Sequence, residues 1–267
     1  IDLARSREPD QDPDDPNRLL PAFDAPGGAV VLLDPMVGSV VAMASYPSYD
    51  PNDSIGGFSF EQWTALNDPA NDLPMFNRAI QGEYAPGSTF KLFTAHAAWH
   101  EEVFGVGAVP RADDPWDDPG AYVLRACGDV DPTDPPPGCR YRNAGEKQYE
   151  RVDLTRSLTV SSDVYYYRIG ESIYTNPGHP DTAIQDAATE YGLGLESGIT
   201  LPFEQDGYLP TPTNRRLRHE GNPVAFPEWG WSTGDNVITA IGQGEVLVTP
   251  LQLTNAFATF ANGGVRF

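Results

Sequence analysis

The chain has 267 residues, 40% of them hydrophobic, enough apolar material for a packed core and too much for a chain disordered throughout. Its 38 Asp and Glu against 17 Lys and Arg give a formal charge of -21, which argues against nucleic acid or an anionic membrane surface as a partner. No apolar run reaches the roughly eighteen residues of a membrane-spanning helix, and nothing at Ile1 resembles a signal peptide.

In chain order, residues 1–27, with Glu8-Pro-Asp-Gln-Asp-Pro-Asp-Asp-Pro16, are acidic and proline-rich and read as an exposed lead-in; the folded part is expected over 28–267. Ala29 to Leu33 and Ser39 to Ala44 are valine-rich runs joined by Asp34-Pro-Met-Val-Gly38, the pattern of a β-hairpin, expected as central strands buried on both faces. A helical segment follows around Phe60 to Leu66. Then comes Tyr84-Ala-Pro-Gly-Ser-Thr-Phe-Lys91, a Pro-Gly turn opening a helix whose apolar residues continue through Phe93, Ala97, Ala98 and Trp99. Residues 101–150 read as a loop-like insertion beside a cleft. Helix signals resume from Asp153 to Ser172 and from Asp181 to Tyr191, the latter ended by Gly192. After loop-rich residues 202–235, Thr249-Pro-Leu-Gln-Leu opens a helix with a threonine N-cap and proline at its first position, ended by Asn262-Gly263.

The chemistry concentrates in a few places. Ser88 and Lys91 lie three apart, so on a helix they share a face and the amine can take the hydroxyl's proton, provided burial brings the lysine below its ordinary value of about 10.4. Such a pair alone also occurs by chance on a solvent face. Seventy residues on, Ser161 and Asp163 form a Ser-x-Asp triplet in Leu158-Thr-Val-Ser-Ser-Asp-Val-Tyr-Tyr-Tyr167; equally, Ser161 caps a helix with Asp163 in its first turn. Gln243 sits between Gly242 and Gly244, whose missing side chains let backbone approach a sheet or strand closely. Cys127 and Cys139 flank a proline-rich loop; a disulfide there contributes about 3 kcal/mol and suits an oxidising compartment, with zinc ligation as the competing reading. Tyr165 to Tyr167 read as packing residues. Trp229 and Trp231 lie in a loop where ligand contact and simple packing are equally open. His96 and His100, four apart, lack a third ligand, and Asp113, Asp114, Asp117 and Asp118 lack calcium-loop spacing and read as solvated surface. No metal or cofactor is expected.

Taken together, Glu83-Tyr-Ala-Pro-Gly-Ser-Thr-Phe-Lys91, Val160-Ser-Ser-Asp-Val-Tyr-Tyr-Tyr167 and Ile241-Gly-Gln-Gly-Glu-Val-Leu-Val-Thr-Pro-Leu-Gln-Leu253 resemble the transpeptidase domain of class B penicillin-binding proteins, most closely the elongation-type branch, penicillin-binding protein 2. The opening hairpin through Pro51 and Asn77-Arg-Ala-Ile-Gln81 fit the same family. The bias of fifteen arginines to two lysines fits GC-rich coding and an actinobacterial source. The resemblance implies an α/β (α+β) fold of the penicillin-recognising serine transferase type, an antiparallel sheet flanked by helices. It implies peptidoglycan D,D-transpeptidation through a serine acyl-enzyme, with Ser88 as nucleophile, Lys91 as its base, Ser161 as proton relay, and Asp163, Gln243 and Gly244 at the substrate. Implied partners are peptidoglycan stem peptides on lipid-linked or nascent glycan strands, β-lactams, and the polymerising glycosyltransferase of the elongation machinery; no nucleic acid is implied. Implied too is a single N-terminal membrane anchor, absent here, with the catalytic domain on the outer face. A class D-like β-lactamase and a β-lactam sensor are the alternatives. The family's third motif, Lys-Thr-Gly, which supplies an oxyanion donor, does not occur; the sequence stops at Ala261-Asn-Gly-Gly-Val-Arg-Phe267. The domain is therefore expected to be incomplete at its C-terminus and inactive alone, since losing one such donor costs about a hundredfold or more in rate.

Overall fold

The structure is a computed structural model and describes residues 25–107 and 109–267. Nearly all of the acidic lead-in expected at 1–27 lies outside the described residues. In chain order the elements are β1 (Gly28–Leu33), β2 (Val40–Tyr46), α1 (Phe60–Leu66), α2 (Lys91–His100), β3 (Trp116–Asp118), β4 (Ala121–Val123), β5 (Arg140–Arg142), β6 (Tyr149–Val152), α3 (Leu154–Val160), α4 (Asp163–Thr175), α5 (Ala183–Glu190), α6 (Pro212–Gly221), α7 (Thr233–Thr239) and α8 (Pro250–Ala261), with short 3-10 turns between some of them. They divide into two compact units. One runs up to Glu83 and adds Glu196–Gln205 and Thr249–Phe267; the other takes Tyr84–Leu195 and Asp206–Val248.

In the first unit β1 and β2 pair antiparallel, with Val31 opposite Met43 and Ala29 opposite Ser45. The Asp34 carboxylate accepts from Met36 N at 2.8 Å and so starts the turn between them. Alternation then sorts the faces: Ala29, Val31 and Met43 pack on a small cluster of Ala79, Ile80 and Leu251, the last of these from α8. Val30 and Leu32 point the other way and are 67% and 55% exposed, so the expectation of strands buried on both faces is corrected to burial on one. A strand is buried on both faces only where elements cover both, and this two-stranded sheet has its helix, α8, on one side. α8 begins as its sequence dictates: the Thr249 hydroxyl accepts from Gln252 N while the Gln252 side chain accepts from Thr249 N.

The second unit is built around α4, whose Val164, Tyr165, Tyr166, Ile169 and Ile173 are all buried. Gly170 lets α7 come close, since a Cβ there would lie 3.0 Å from Ala240 Cβ and 3.1 Å from Asn236 O. Asn236 Nδ2 donates to Gly170 O at 2.8 Å across the same contact. Three findings depart from the sequence reading. The helix expected over 153–172 is two helices, α3 and α4, broken at Ser161, whose φ of 56° lies in the left-handed region. Residues 101–150 are not structureless: β3 pairs with β6 and β4 with β5, in strands of three or four residues, too short for alternation to show. The disulfide between Cys127 and Cys139 closes the loop joining β4 to β5. Finally α6 starts at Thr211 with a capping box to Asn214 and Pro212 at its first position, a signal concealed by the charge of Arg215, Arg216, Arg218, His219 and Glu220.

Candidate active site

The segment before α2 turns as a 3-10 helix over Gly87–Phe90, and Lys91 N donates to Ser88 O. With three residues per turn, positions three apart eclipse, so Ser88 and Lys91 emerge on one side. Their surroundings differ sharply: Ser88 is exposed and Lys91 is 1% exposed. Phe90 and Phe93, ring centroids 5.6 Å apart, are fully buried beneath the turn. Behind it stands Gly242, with φ 68°, whose carbonyl accepts from Gly87 N at 2.8 Å. A Cβ on Gly242 would lie 2.4 Å from both Gly87 O and Phe90 Cβ. The close approach foreseen for the Gly-Gln-Gly stretch is therefore made to the serine's own turn.

Lys91 Nζ donates to Ser161 O at 2.8 Å and to Ser161 Oγ at 3.0 Å, and it pairs with Asp163 Oδ1 at 2.6 Å. An ammonium has three N–H donors, and these three acceptors occupy them. The Tyr166 ring lies 5.6 Å from Nζ. Burial lowers the Lys91 pKa below the ordinary lysine value; the Asp163 carboxylate, bonded to it, and the more distant Asp118 work against that shift. Ser161 reaches the lysine because it is the left-handed C-cap of α3, not the N-cap of α4; that role falls to Ser162, whose hydroxyl accepts from Tyr165 N at 3.1 Å. Strained backbone of this kind persists where surrounding contacts over-determine it.

Those contacts come from residues the sequence reading did not single out or misjudged. Asp118, expected on the surface, is 2% exposed. Its Oδ2 accepts from Ser162 Oγ at 2.5 Å and from Asn143 Nδ2 at 2.9 Å, and its Oδ1 accepts from Gly120 N at 2.7 Å. Asn143 Oδ1 in turn accepts from Asp163 N at 2.8 Å and Val164 N at 3.0 Å. No periodicity marks either residue; only the pairing of β3 with β6 and β4 with β5 brings them there. Of the remaining candidates, Gln243 and Gly244 are exposed within the same unit as Ser88. Tyr165, Tyr166 and Tyr167 are buried. Trp231 stacks on Arg215 at 4.9 Å while Trp229 is 59% exposed. His96 bonds Tyr191 and Glu190, and His100 bonds Glu101. Among the described residues no cluster of three or more His, Cys, Asp or Glu is arranged to hold a metal ion.

A mixed α/β frame with small antiparallel sheets, a serine turn leading into a buried lysine and a second serine turn on that lysine is the architecture of the penicillin-recognising serine transferases. Its match to solved structures is close: to Pseudomonas aeruginosa PBP2 in complex with WCK 5153, with TM-score 0.71 and 30% identity over 90% of this chain and 48% of that one, and to PBPA from Mycobacterium tuberculosis, with TM-score 0.63 and 26% identity over 90% and 47%. The chain belongs to the penicillin-binding protein transpeptidase domain family, whose model matches residues 28–109 and 129–267. Within it the chain is homologous to the elongation-type MrdA/PBP2 proteins. It is 33% identical over 239 residues to the peptidoglycan D,D-transpeptidase MrdA of Haemophilus influenzae and 32% identical over 240 residues to that of Escherichia coli K12, covering 89% of this chain and 32% of each relative. It is also 30% identical over 248 residues to the peptidoglycan D,D-transpeptidase PbpA of Mycobacterium tuberculosis, covering 89% and 41%. The chain thus spans a third to two fifths of its relatives' length.

Proposed function

We propose that this chain carries the catalytic centre of a peptidoglycan D,D-transpeptidase. Ser88 Oγ attacks the carbonyl between the two D-alanines of a stem peptide as Lys91 takes its proton, and the Ser88 amide supplies one donor to the oxyanion. The tetrahedral intermediate collapses to an ester on Ser88; the leaving D-Ala amine receives its proton through Ser161. An amine of a second stem then attacks the ester, loses a proton back to the same pair, and the cross-link forms with Ser88 restored. Asp163 has two functions in this reading: it holds Lys91 in place and orients the substrate amide, while Gln243 and Gly244 contact the substrate. β-Lactams enter by the first step and remain as a stable ester.

The observation that carries the reading is Lys91 Nζ, buried and held between Ser161 and Asp163 three residues after an exposed serine. The names of the relatives support it. Structural neighbours include Helicobacter pylori PBP2 in a complex with MreC and a peptidoglycan synthase complex coordinating polymerization and crosslinking. By extension, the intact protein works beside a polymerising glycosyltransferase, held by one N-terminal helix on the outer face of the membrane. No described helix is itself long and apolar enough to cross a membrane. The test is to give the intact protein a D-Ala-D-Ala pentapeptide and a D-amino acid acceptor. Exchange of the terminal D-Ala, lost in Ser88→Ala, is expected; fast turnover of a chromogenic β-lactam without exchange indicates a β-lactamase instead.

A further inference from the structure

We propose that Asp118 and Asn143, supplied by the short hairpins between α2 and α3, are positioning residues that hold the Ser161–Asp163 turn against Lys91. The proposal rests on the acyl-transfer reading of Ser88 and Lys91 and extends it to residues that do not touch substrate. Asp118 lies in the stretch between the two family-matched segments, whereas Asn143 lies within the second of them.

The physical case starts at the N-terminus of α4. A helix leaves its first backbone N–H groups without partners inside the helix. Here they are taken by imported oxygens: Asp163 N and Val164 N donate to Asn143 Oδ1, and Tyr165 N donates to Ser162 Oγ. Asn143 is committed on both sides, because its Nδ2 donates to Asp118 Oδ2 and, at 2.8 Å, to Lys147 O. That leaves no alternative orientation for the amide. Ser162 is committed in the same way, its hydroxyl donating to Asp118 while accepting from Tyr165 N. All three side chains are nearly sealed from water, at 0% for Ser162, 2% for Asp118 and 3% for Asn143. In such surroundings each donor left without an acceptor is costly, so the network settles in one arrangement.

That arrangement has a direct consequence at the lysine. Fixing the amides of residues 163 to 165 fixes where α4 begins, which leaves Ser161 with the left-handed backbone that turns its carbonyl and hydroxyl onto Lys91 Nζ. The hairpins themselves are pinned to α4. The guanidinium of Arg168 stacks 3.8 Å from the Trp116 ring, and the fully buried Glu171 accepts from Ala126 N at 2.9 Å and from Tyr122 OH. The paired strands therefore bracket the start of α4, with Asp118 at their contact with the second motif.

The experiment uses the intact protein and a fluorescent penicillin under stopped-flow conditions, comparing the parent with Asp118→Asn and Ser162→Ala. An asparagine at 118 turns one acceptor oxygen into a donor facing other donors. Expected is a fall in the limiting acylation rate of about tenfold to a hundredfold, with the half-saturating concentration held within about twofold. A residue serving stability alone would lower the acylable fraction and the melting temperature while the remaining molecules react at the parental rate; that result overturns the proposal and leaves the acyl-transfer reading intact. Ser162→Ala removes the hydroxyl's two bonds, to Asp118 and from Tyr165 N, without placing a donor against other donors, and covers the case in which Asp118→Asn does not fold. Amide hydrogen exchange gives a readout independent of chemistry: Asp163 and Val164 lose protection in Asp118→Asn while the C-terminal half of α4 keeps it. Unchanged protection at those two amides sinks the proposal even if the parent proves unreactive toward penicillin, an outcome that would separately remove the transpeptidase reading.

Discussion

A lysine only 1% exposed gives up the hydration that ordinarily keeps its proton, and Lys91 accordingly titrates below the usual lysine value. Asp163, 2.6 Å away, opposes this by favouring the charged form. The sign of the resulting pH dependence follows. If neutral Lys91 is the base, acylation rises with pH as the proton leaves, and replacing Asp163 with asparagine removes a charge that holds the proton on. The rising limb of the acylation rate in Asp163→Asn is therefore expected at lower pH than in the parent, as read from rate profiles with a penicillin; an unmoved limb or one displaced upward contradicts the assignment of Lys91. Ser88 and Lys91 were legible in the sequence because their relation is local, three positions on one turn. Asp118 was not. It stands in a run with Asp113, Asp114 and Asp117, and only the tertiary pairing of the hairpins buries it while Asp113 stays 81% exposed.

Gly242 shows how a backbone position several elements away sets the serine's turn. A methyl group there would overlap Gly87 O and Phe90 Cβ, on a backbone with φ 68° that disfavours any side chain. Gly242→Ala is expected to destabilise by about 1–3 kcal/mol and to slow acylation even in the folded fraction, because the turn carrying Ser88 must move. Parental stability in a denaturant titration together with a parental acylation rate refutes the contact. Thr249→Ala is the contrasting case: it removes the capping box of α8, in the other unit, at about 1 kcal/mol, measurable as a lower denaturation midpoint. The helices carrying both a cap and an apolar stripe, α1 and α8, were legible from sequence. α6 was hidden because its charges erase the stripe, and the break between α3 and α4 because Ser161, a residue with a Cβ, occupies a left-handed position that composition gives no reason to expect.

At the scale of the molecule, the family was legible because its motifs are short and locally encoded, whereas the short paired strands over residues 116–152 had no period to read. The loop joining β4 to β5 is closed by the Cys127–Cys139 disulfide across a separation of 12 residues. Cys127→Ser with Cys139→Ser is expected to lower stability by about 3 kcal/mol in the chain-entropy account, with a parallel fall when the parent is melted under reducing conditions. A melting temperature indifferent to reductant contradicts this. The central claim, that Ser88 is a nucleophile activated by Lys91, is tested most directly by intact mass of the full-length protein before and after benzylpenicillin, followed by peptide mapping. One stable adduct per molecule on the peptide holding Ser88, absent in Ser88→Ala and strongly reduced in Lys91→Ala, is the predicted result; an unmodified protein, or an adduct on any other residue, contradicts it.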